Sequence, residues 1–357
     1  MPQLLKVENL AVDFGTEDGV VRAVRGVSLE LNAGEVLGVV GESGCGKSVT
    51  AAALMGLLPR TATVTGSIRF AERELVDRPE SELRKLRGNR LGMIFQDPMT
   101  SLNPVYTVGW QLAEAYRAHH HEVTRRRALT VAIEALARVG IPQPSLRAGA
   151  YPHEFSGGMR QRAMIAMAII NDPALIIADE PTTALDVTVQ AQILETLRSV
   201  AKASRAAIML ITHDLGVVAG MADRVQVMYG GTVVETAETV RLFAHPRMPY
   251  TVGLLGSVPD PTHLGRPLTP IPGAPPSPLH QPHGCTFGPR CPLVEPECLR
   301  REPALVPVDV LSHRARCRRW EQLAGDRPAA ELFARSEVGA GLDPELDAAP
   351  ATGAPDG

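Results

Sequence analysis

Gly41-Glu42-Ser43-Gly44-Cys45-Gly46-Lys47-Ser48 decides the fold of this chain, because it matches the pattern G-x-x-x-x-G-K-[ST] at every fixed position. The glycines allow backbone turns closed to residues with a Cβ, so that several N–H groups can point inward at a triphosphate. Lys47 supplies a point charge for the β and γ phosphates, and the Ser48 hydroxyl can take one place around Mg²⁺. The flanks fit. Val36 to Val40 is a short apolar run that reads as a buried parallel strand, and Val49 to Leu58 reads as a helix stopped by Pro59. The loop therefore joins a strand to a helix N-terminus, where the dipole and unpaired N–H groups favour an anion. Cys45 occupies a variable position of the loop and reads as a tolerated small residue.

The chain has 357 residues, 45% of them hydrophobic, enough for two or three compact units with a substantial core. A net charge of −3 argues against a generally nucleic-acid-binding surface. Residues 321–357 carry eight acids and two arginines, net −6, so residues 1–320 carry about +3 by subtraction. That Ala-, Gly- and Pro-rich tail is expected to be disordered. No apolar run approaches the roughly 20 residues needed to cross a bilayer. Lys6, Glu8 and Asp13 interrupt the N-terminus before a signal-type core forms. The expectation is a cytoplasmic protein that reaches any membrane through a partner.

Residues 4–31 alternate as exposed strands do, around the loop Gly15-Thr16-Glu17-Asp18-Gly19. Phe14, just before that loop, suits either a buried strand position or stacking on an adenine ring. Further strands are expected at Val64 to Phe70 and at Leu91 to Phe95, the latter ending at Gln96-Asp97-Pro98. A mostly helical region follows to about Leu146, with His119-His120-His121 inside it as solvated surface. Phe155-Ser156-Gly157-Gly158-Met159-Arg160-Gln161-Arg162 opens the apolar helix Ala163 to Ile170. Ala174 to Ala178 then reads as a buried strand running into Asp179-Glu180, and Ala206 to Ile211 as another ending at Thr212-His213-Asp214. Helices alternating with buried strands give a parallel α/β sheet whose ligands sit at the strands' carboxyl ends. Gln96, Asp179, Glu180, His213 and the glycine-rich loop all fall at such ends. Gly230-Gly231 signals a hairpin, the pattern is helical from there to Leu264, and residues 265–310 are crowded with proline.

Asp179 has the setting of a Mg²⁺-holding carboxylate, and Glu180 is placed to orient or deprotonate an attacking water. The order of phosphate loop, glutamine after an apolar strand, Ser-Gly-Gly signature, Asp-Glu strand end, Ala184-Leu185-Asp186 and late histidine resembles the ATP-binding-cassette ATPases over residues 5–240. The resemblance implies a P-loop NTPase core with an antiparallel β subdomain and a helical subdomain, binding ATP and Mg²⁺. It gives Gln96 a role in sensing Mg²⁺ and water and in relaying to a membrane partner. Ser156, Gly157 and Gly158 would close on the γ-phosphate of an opposite subunit, Asp186 would communicate across that dimer, and His213 would contact the γ-phosphate and order the water. Phe14 becomes the adenine-stacking residue. Met159 departs from the usual glutamine, so that side chain cannot make an amide's contacts, while the serine, the glycine N–H groups and the helix N-terminus still suffice for an anion.

Gln96 to Pro104, Phe155 to Arg162 and His245 to Thr251 resemble the oligopeptide and dipeptide importer branch, which also contains nickel importers. The branch implies a peripheral subunit on the cytoplasmic face of the membrane, paired with a second cassette ATPase that is a paralogue or a second copy. Two transmembrane permeases and, through them, an extracytoplasmic solute-binding protein complete the implied assembly, with no nucleic acid. A soluble cassette acting on DNA or the ribosome is the rival, but the large insertion or second cassette it would need is absent. The expected division is a core of residues 1–97 and 159–240, a helical subdomain of 98–158, an extension of 241–320 and the acidic tail.

Cys285, Cys291, Cys298 and Cys317 form C-x5-C-x6-C-x18-C in the proline-rich extension. Four thiols in a segment with little apolar sequence suggest metal ligands rather than disulfides in a cytoplasmic protein. The spacing lacks the paired C-x2-C of common zinc ribbons and leaves zinc, an iron-sulfur cluster and free thiols open. The segments Gly284 to Phe287, Arg290 to Pro292 and His313 to Cys317 resemble the C-terminal region of the importer branch, some members of which bind a four-iron four-sulfur cluster there, and the resemblance implies such a cluster. None of these cysteines lies in a nucleotide motif, so the cluster is expected to be structural and nucleotide binding to be independent of it.

Overall fold

The computed structural model describes residues 2–97, 101–183, 186–258, 268–323 and 328–333. Its N-terminal layer is an antiparallel sheet ordered β2-β1-β4-β5, of β1 (Gln3–Thr16), β2 (Gly19–Asn32), β4 (Ala62–Phe70) and β5 (Arg73–Glu74). The alternation seen in the sequence puts Leu5, Val7, Leu10 and Val12 of β1 with Val24, Val27, Leu29 and Leu31 of β2 in the core. The expected loop shrinks to a tight turn, with Thr16 paired to Gly19.

The main sheet is built on five parallel strands, β3 (Val36–Val40), which leads into the glycine-rich loop, β6 (Leu91–Ile94), β7 (Leu175–Asp179), β8 (Ala207–Ile211) and β9 (Arg224–Tyr229). With the antiparallel β10 (Thr232–Glu238), β11 (Val306–Pro307) and β12 (Arg314–Ala315), its order is β11-β12-β10-β9-β3-β8-β7-β6. Every residue of β7 and β8 is buried, which is why both read as unbroken apolar runs. The carboxyl ends of β3, β6, β7 and β8 open on one edge. The helix after β3 spans Lys47–Met55 and is closed by Gly56 in the left-handed conformation, with Leu57 N–H returning to the Ala52 carbonyl, so it ends earlier than expected.

Helices Val108–Arg117 and Arg125–Arg138 pack on Gly157–Ile169 through Leu112, Ala132, Leu136 and Ile165 in one apolar cluster. The three histidines follow the first of these helices rather than lying inside it, and His120 stacks on Tyr116 with ring centroids 4.1 Å apart. Past β10 the expected helical stretch is two short helices, Thr239–Ala244 and Pro249–Gly256, and residues 259–264 lie outside the described residues.

The cysteine-bearing extension departs most from expectation. It does not stand apart: β12 pairs with β10 and extends the main sheet, and Phe287, His313 and Ala315 are fully buried. The acidic tail also enters the fold, since Ala329–Phe333 is helical with Leu332 and Phe333 buried against the Pro249–Gly256 helix. Apolar side chains outweigh the charge there. Residues 334–357 lie outside the described residues.

Candidate nucleotide site

The phosphate loop is fixed by what glycine permits. A Cβ on Gly41 would lie 2.2 Å from the Met228 carbonyl oxygen, and one on Gly46, at φ 98°, 2.5 Å from that of Ala23. Lys47 is buried, and its Nζ donates to the carbonyls of Gly41 (2.7 Å) and Glu42 (2.9 Å). Cys45 is 4% exposed, with its thiol pushed up by burial, which agrees with a packing residue and not a nucleophile. Ser43 and Gly44 stand at the exposed turn of the loop.

Across the edge, Ser48 Oγ donates to Asp179 Oδ1 at 3.0 Å, which joins the loop to the end of β7. Burial pushes the Asp179 carboxyl above its ordinary value, Glu180 adds to this, and Ser48 and Lys47 oppose it. A hydroxyl and a carboxylate side by side suit a hard cation such as Mg²⁺, which takes few protein ligands and completes its shell with phosphate and water.

Glu180 adopts the left-handed region at φ 48°, a conformation costing on the order of 1 kcal/mol, held by its N–H donating to the Ile211 carbonyl at 2.8 Å. Three side chains meet its carboxylate: Gln96 Nε2 (3.1 Å), Thr183 Oγ1 (2.8 Å) and His213 Nδ1 (3.3 Å). Burial alone would raise this group, but the bonds from Thr183 and His213 with nearby positive charge leave it lowered. Two adjacent carboxyls are thus pushed in opposite directions, the pattern that divides labour between neighbouring acids.

The signature lies elsewhere. Ser156 caps its own helix by accepting from Met159 N–H at 3.3 Å, and a Cβ on Gly158 would meet Val189 Cγ1 at 2.7 Å. Asp186 caps the helix Val187–Ser204 by accepting from that same Val189 at 2.9 Å, so the signature and Asp186 share one edge. Ala184 and Leu185 lie outside the described residues. Phe14 is half-buried on β1 against the N-terminal core.

Three residues of this site escaped the sequence reading. Thr183 carries no signal beyond being a hydroxyl three residues after an acid. Tyr250 Oη accepts from Glu42 N–H at 2.8 Å, and Arg290 donates to the Glu42 carboxylate at 2.9 Å.

The four cysteines gather in one place without forming a metal centre. Cys285, Cys291 and Cys317 pack in a single apolar cluster with Phe287, and Cys285 N–H donates to the Cys298 carbonyl at 2.6 Å. Burial raises the thiols of Cys285, Cys291 and Cys317, that of Cys317 up to about 12, and the neighbouring cysteines add to each shift. Among the described residues no group of three or more His, Cys, Asp or Glu could hold a metal ion. Four soft thiols fit iron or zinc as donors, but their arrangement around this packed core does not bring them onto one centre, so the expected iron-sulfur cluster finds no support in the geometry.

The family description "ABC transporter" matches residues 24–183, and "Oligopeptide/dipeptide transporter, C-terminal region" matches residues 234–298. The oligopeptide transport ATP-binding protein OppD of Haemophilus influenzae is 51% identical over 84% of this chain and 92% of its own length. The dipeptide transport ATP-binding protein DppD of Bacillus subtilis is 50% identical over 90% and 96%. OppD of Mycobacterium tuberculosis is 53% identical over 93% of this chain, which spans only 54% of that longer relative. Among solved structures, the post-hydrolysis dimer of the ATP-binding cassette MJ0796 bound to ADP and Pi superimposes with a TM-score of 0.60 at 25% identity, covering 66% of this chain and 99% of that one. With its phosphate loop, paired strand-end acids and peptide-type C-terminal region, the chain belongs to the ABC transporter ATP-binding proteins of the oligopeptide/dipeptide type.

Proposed function

We propose that this chain hydrolyses ATP to drive an importer of di- and oligopeptides from the cytoplasmic face of the membrane. The observation that carries the hydrolytic reading is Glu180, gripped by Gln96, Thr183 and His213 beside the Ser48–Asp179 pair. The loop N–H groups and Lys47 bind the triphosphate, while Phe14 takes the adenine. Ser48 and Asp179, with Gln96 nearby, would hold Mg²⁺, which neutralises charge on the phosphates when bound. Glu180 accepts a proton from the attacking water, and Gln96 and His213 orient that water.

A second cassette, a paralogue or another copy, supplies Ser156, Gly157 and Gly158 to the γ-phosphate, with Asp186 at the dimer boundary. The support is the position of the signature on an edge separate from the phosphate loop. ATP moves the pair only because it binds the closed state better than the open one. Between the helices Val108–Arg117 and Arg125–Arg138, a groove of about 380 Å³ lined by Thr107, Trp110, Arg117 and Leu129 suits a permease segment. Trp110 is 45% exposed there. Among the described residues no helix is long and apolar enough to cross a membrane. The resemblance to the importer branch supports two permeases, with their solute-binding protein, as the carriers of the cargo. Peptide cargo is supported by the relatives; nickel is the second reading within the branch. For the four cysteines, a four-iron four-sulfur cluster or zinc rests on donor chemistry and resemblance alone, without support from the geometry.

Replacing Glu180 with Gln tests the hydrolytic assignment: ATP binding is retained and turnover falls by about 10² to 10⁴. Near-normal turnover removes Glu180 from the role. Uptake by the complete complex, with labelled dipeptide against Ni²⁺, decides the cargo. Anaerobically purified chain with iron and sulfide, or with zinc, identifies the metal; metal-free folded chain rejects both.

A further inference from the structure

The cysteine-bearing segment reaches into the phosphate loop itself. Arg290 sits in the single turn Gly288–Arg290, next to Cys291, with its side chain 7% exposed. Its Nη1 donates to Glu42 Oε2 at 2.9 Å and to Tyr229 Oη at 3.1 Å, its Nε to the Pro272 carbonyl at 2.9 Å and its Nη2 to the Ile271 carbonyl at 3.3 Å. The guanidinium also lies 5.8 Å from the centre of the Tyr229 ring. Glu42 is held by all its polar groups: Tyr250 Oη takes its N–H, Lys47 Nζ its carbonyl, and Arg290 its carboxylate.

Glutamate at that position sets a negative charge on a loop built to receive a triphosphate, and unpaired it would repel the nucleotide. We propose that Arg290 is a positioning residue for ATP binding: it neutralises Glu42 and pins its side chain, so that the loop N–H groups keep their anion-binding arrangement. A planar fork with two backbone carbonyls as anchors cannot follow the carboxylate toward the phosphates, and it therefore fixes where Glu42 stays. The extension then bears on the nucleotide site through Arg290. Its fold around Cys285, Cys291 and Cys298 sets Arg290, and Arg290 sets the charge on the loop.

This inference rests on ATP binding at the phosphate loop, which Lys47→Ala tests separately. The experiment measures ATP affinity of the full chain as Arg290→Met, Arg290→Lys and Arg290→Met with Glu42→Gln, each checked for folding by thermal melting. The expected result is a loss on the order of tenfold for Arg290→Met, a smaller loss for Arg290→Lys, and recovery of most of the affinity in the double variant. Unchanged affinity in Arg290→Met overturns the proposal. So does a loss that Glu42→Gln fails to relieve, because a merely structural arginine is not rescued by removing a charge. Should Arg290→Met not fold, Glu42→Gln alone decides: equal or tighter ATP binding supports the charge account, and a tenfold loss overturns it.

Discussion

At the carboxyl edge of the sheet, one carboxylate is met by side chains from three loops; in residues 268–323 the recurring contact is an arginine reaching a backbone carbonyl. Glu180 with Gln96, Thr183 and His213 represents the first kind. Arg290 to Pro272, Arg314 to Leu305, Arg316 to Val233 and Pro303, and Arg319 to Leu293 represent the second. The difference follows from regular structure. Parallel strands satisfy their own backbone groups and leave side chains at their ends free for chemistry. A proline-rich segment with two-residue strands leaves carbonyls that must find donors elsewhere, and arginine supplies several at once. One region is organised for reaction and the other for cohesion, and Arg290 belongs to both.

The largest expected effect lies at the reactive edge. In a mixed dimer carrying Ser156→Arg in one subunit, the site whose phosphate loop belongs to the other subunit loses ATP hydrolysis. Loss confined to the loop of the mutated subunit would show that the signature acts within its own chain, and the separate edge seen here would need another explanation. Nucleotide trapping with differently tagged subunits tells the two apart.

In the cohesive region the sharpest test is His313, fully buried with its Nε2 2.7 Å from Glu235 Oε1, which also accepts Arg247 N–H at 2.6 Å. His313→Ala removes a partner from a fully buried carboxyl and costs about 3 kcal/mol, read by urea unfolding. Residues 306–323 should become accessible to protease first, since β12 is held on β10 beside this pair. A loss under about 0.5 kcal/mol, within the range of ordinary surface changes, would mean that the segment is held by its arginines alone.

The smallest effect separates orientation from chemistry. Thr183→Val leaves Glu180 two of its three side-chain partners, and turnover falls by about tenfold with ATP affinity unchanged, a split that steady-state kinetics resolves. Equal loss of affinity would place Thr183 in nucleotide binding instead.

The same contrast explains what the sequence revealed. Asp179, Glu180 and His213 were legible because each stands at a strand end that an apolar run announces, and Lys47 because the loop's chemistry fixes residue type and spacing. That β3, β7 and β8 run parallel in one sheet followed from alternation with helices; their order did not. Arg290, Tyr250 and His313 were not legible, since their partners lie 248, 208 and 78 positions away and a carbonyl can be captured from anywhere in the chain. The extension seemed poor in apolar residues because its core is borrowed: Phe287 packs edge-on to Tyr229 with centroids 5.3 Å apart, and Tyr229 belongs to the main sheet. The tail misled for a related reason, as Leu332 and Phe333 find a ready surface on a helix that composition alone does not reveal.

The claim on which the rest depends is that Gly41 to Ser48 binds the triphosphate, with Lys47 as its charge. Calorimetric titration of Mg-ATP into the full chain and into Lys47→Ala measures this directly. The parent chain is expected to bind saturably, with a loss of at least tenfold on removing the ammonium that lies about 2.7 Å from the Gly41 carbonyl. Equal affinity in a folded Lys47→Ala variant would contradict that claim.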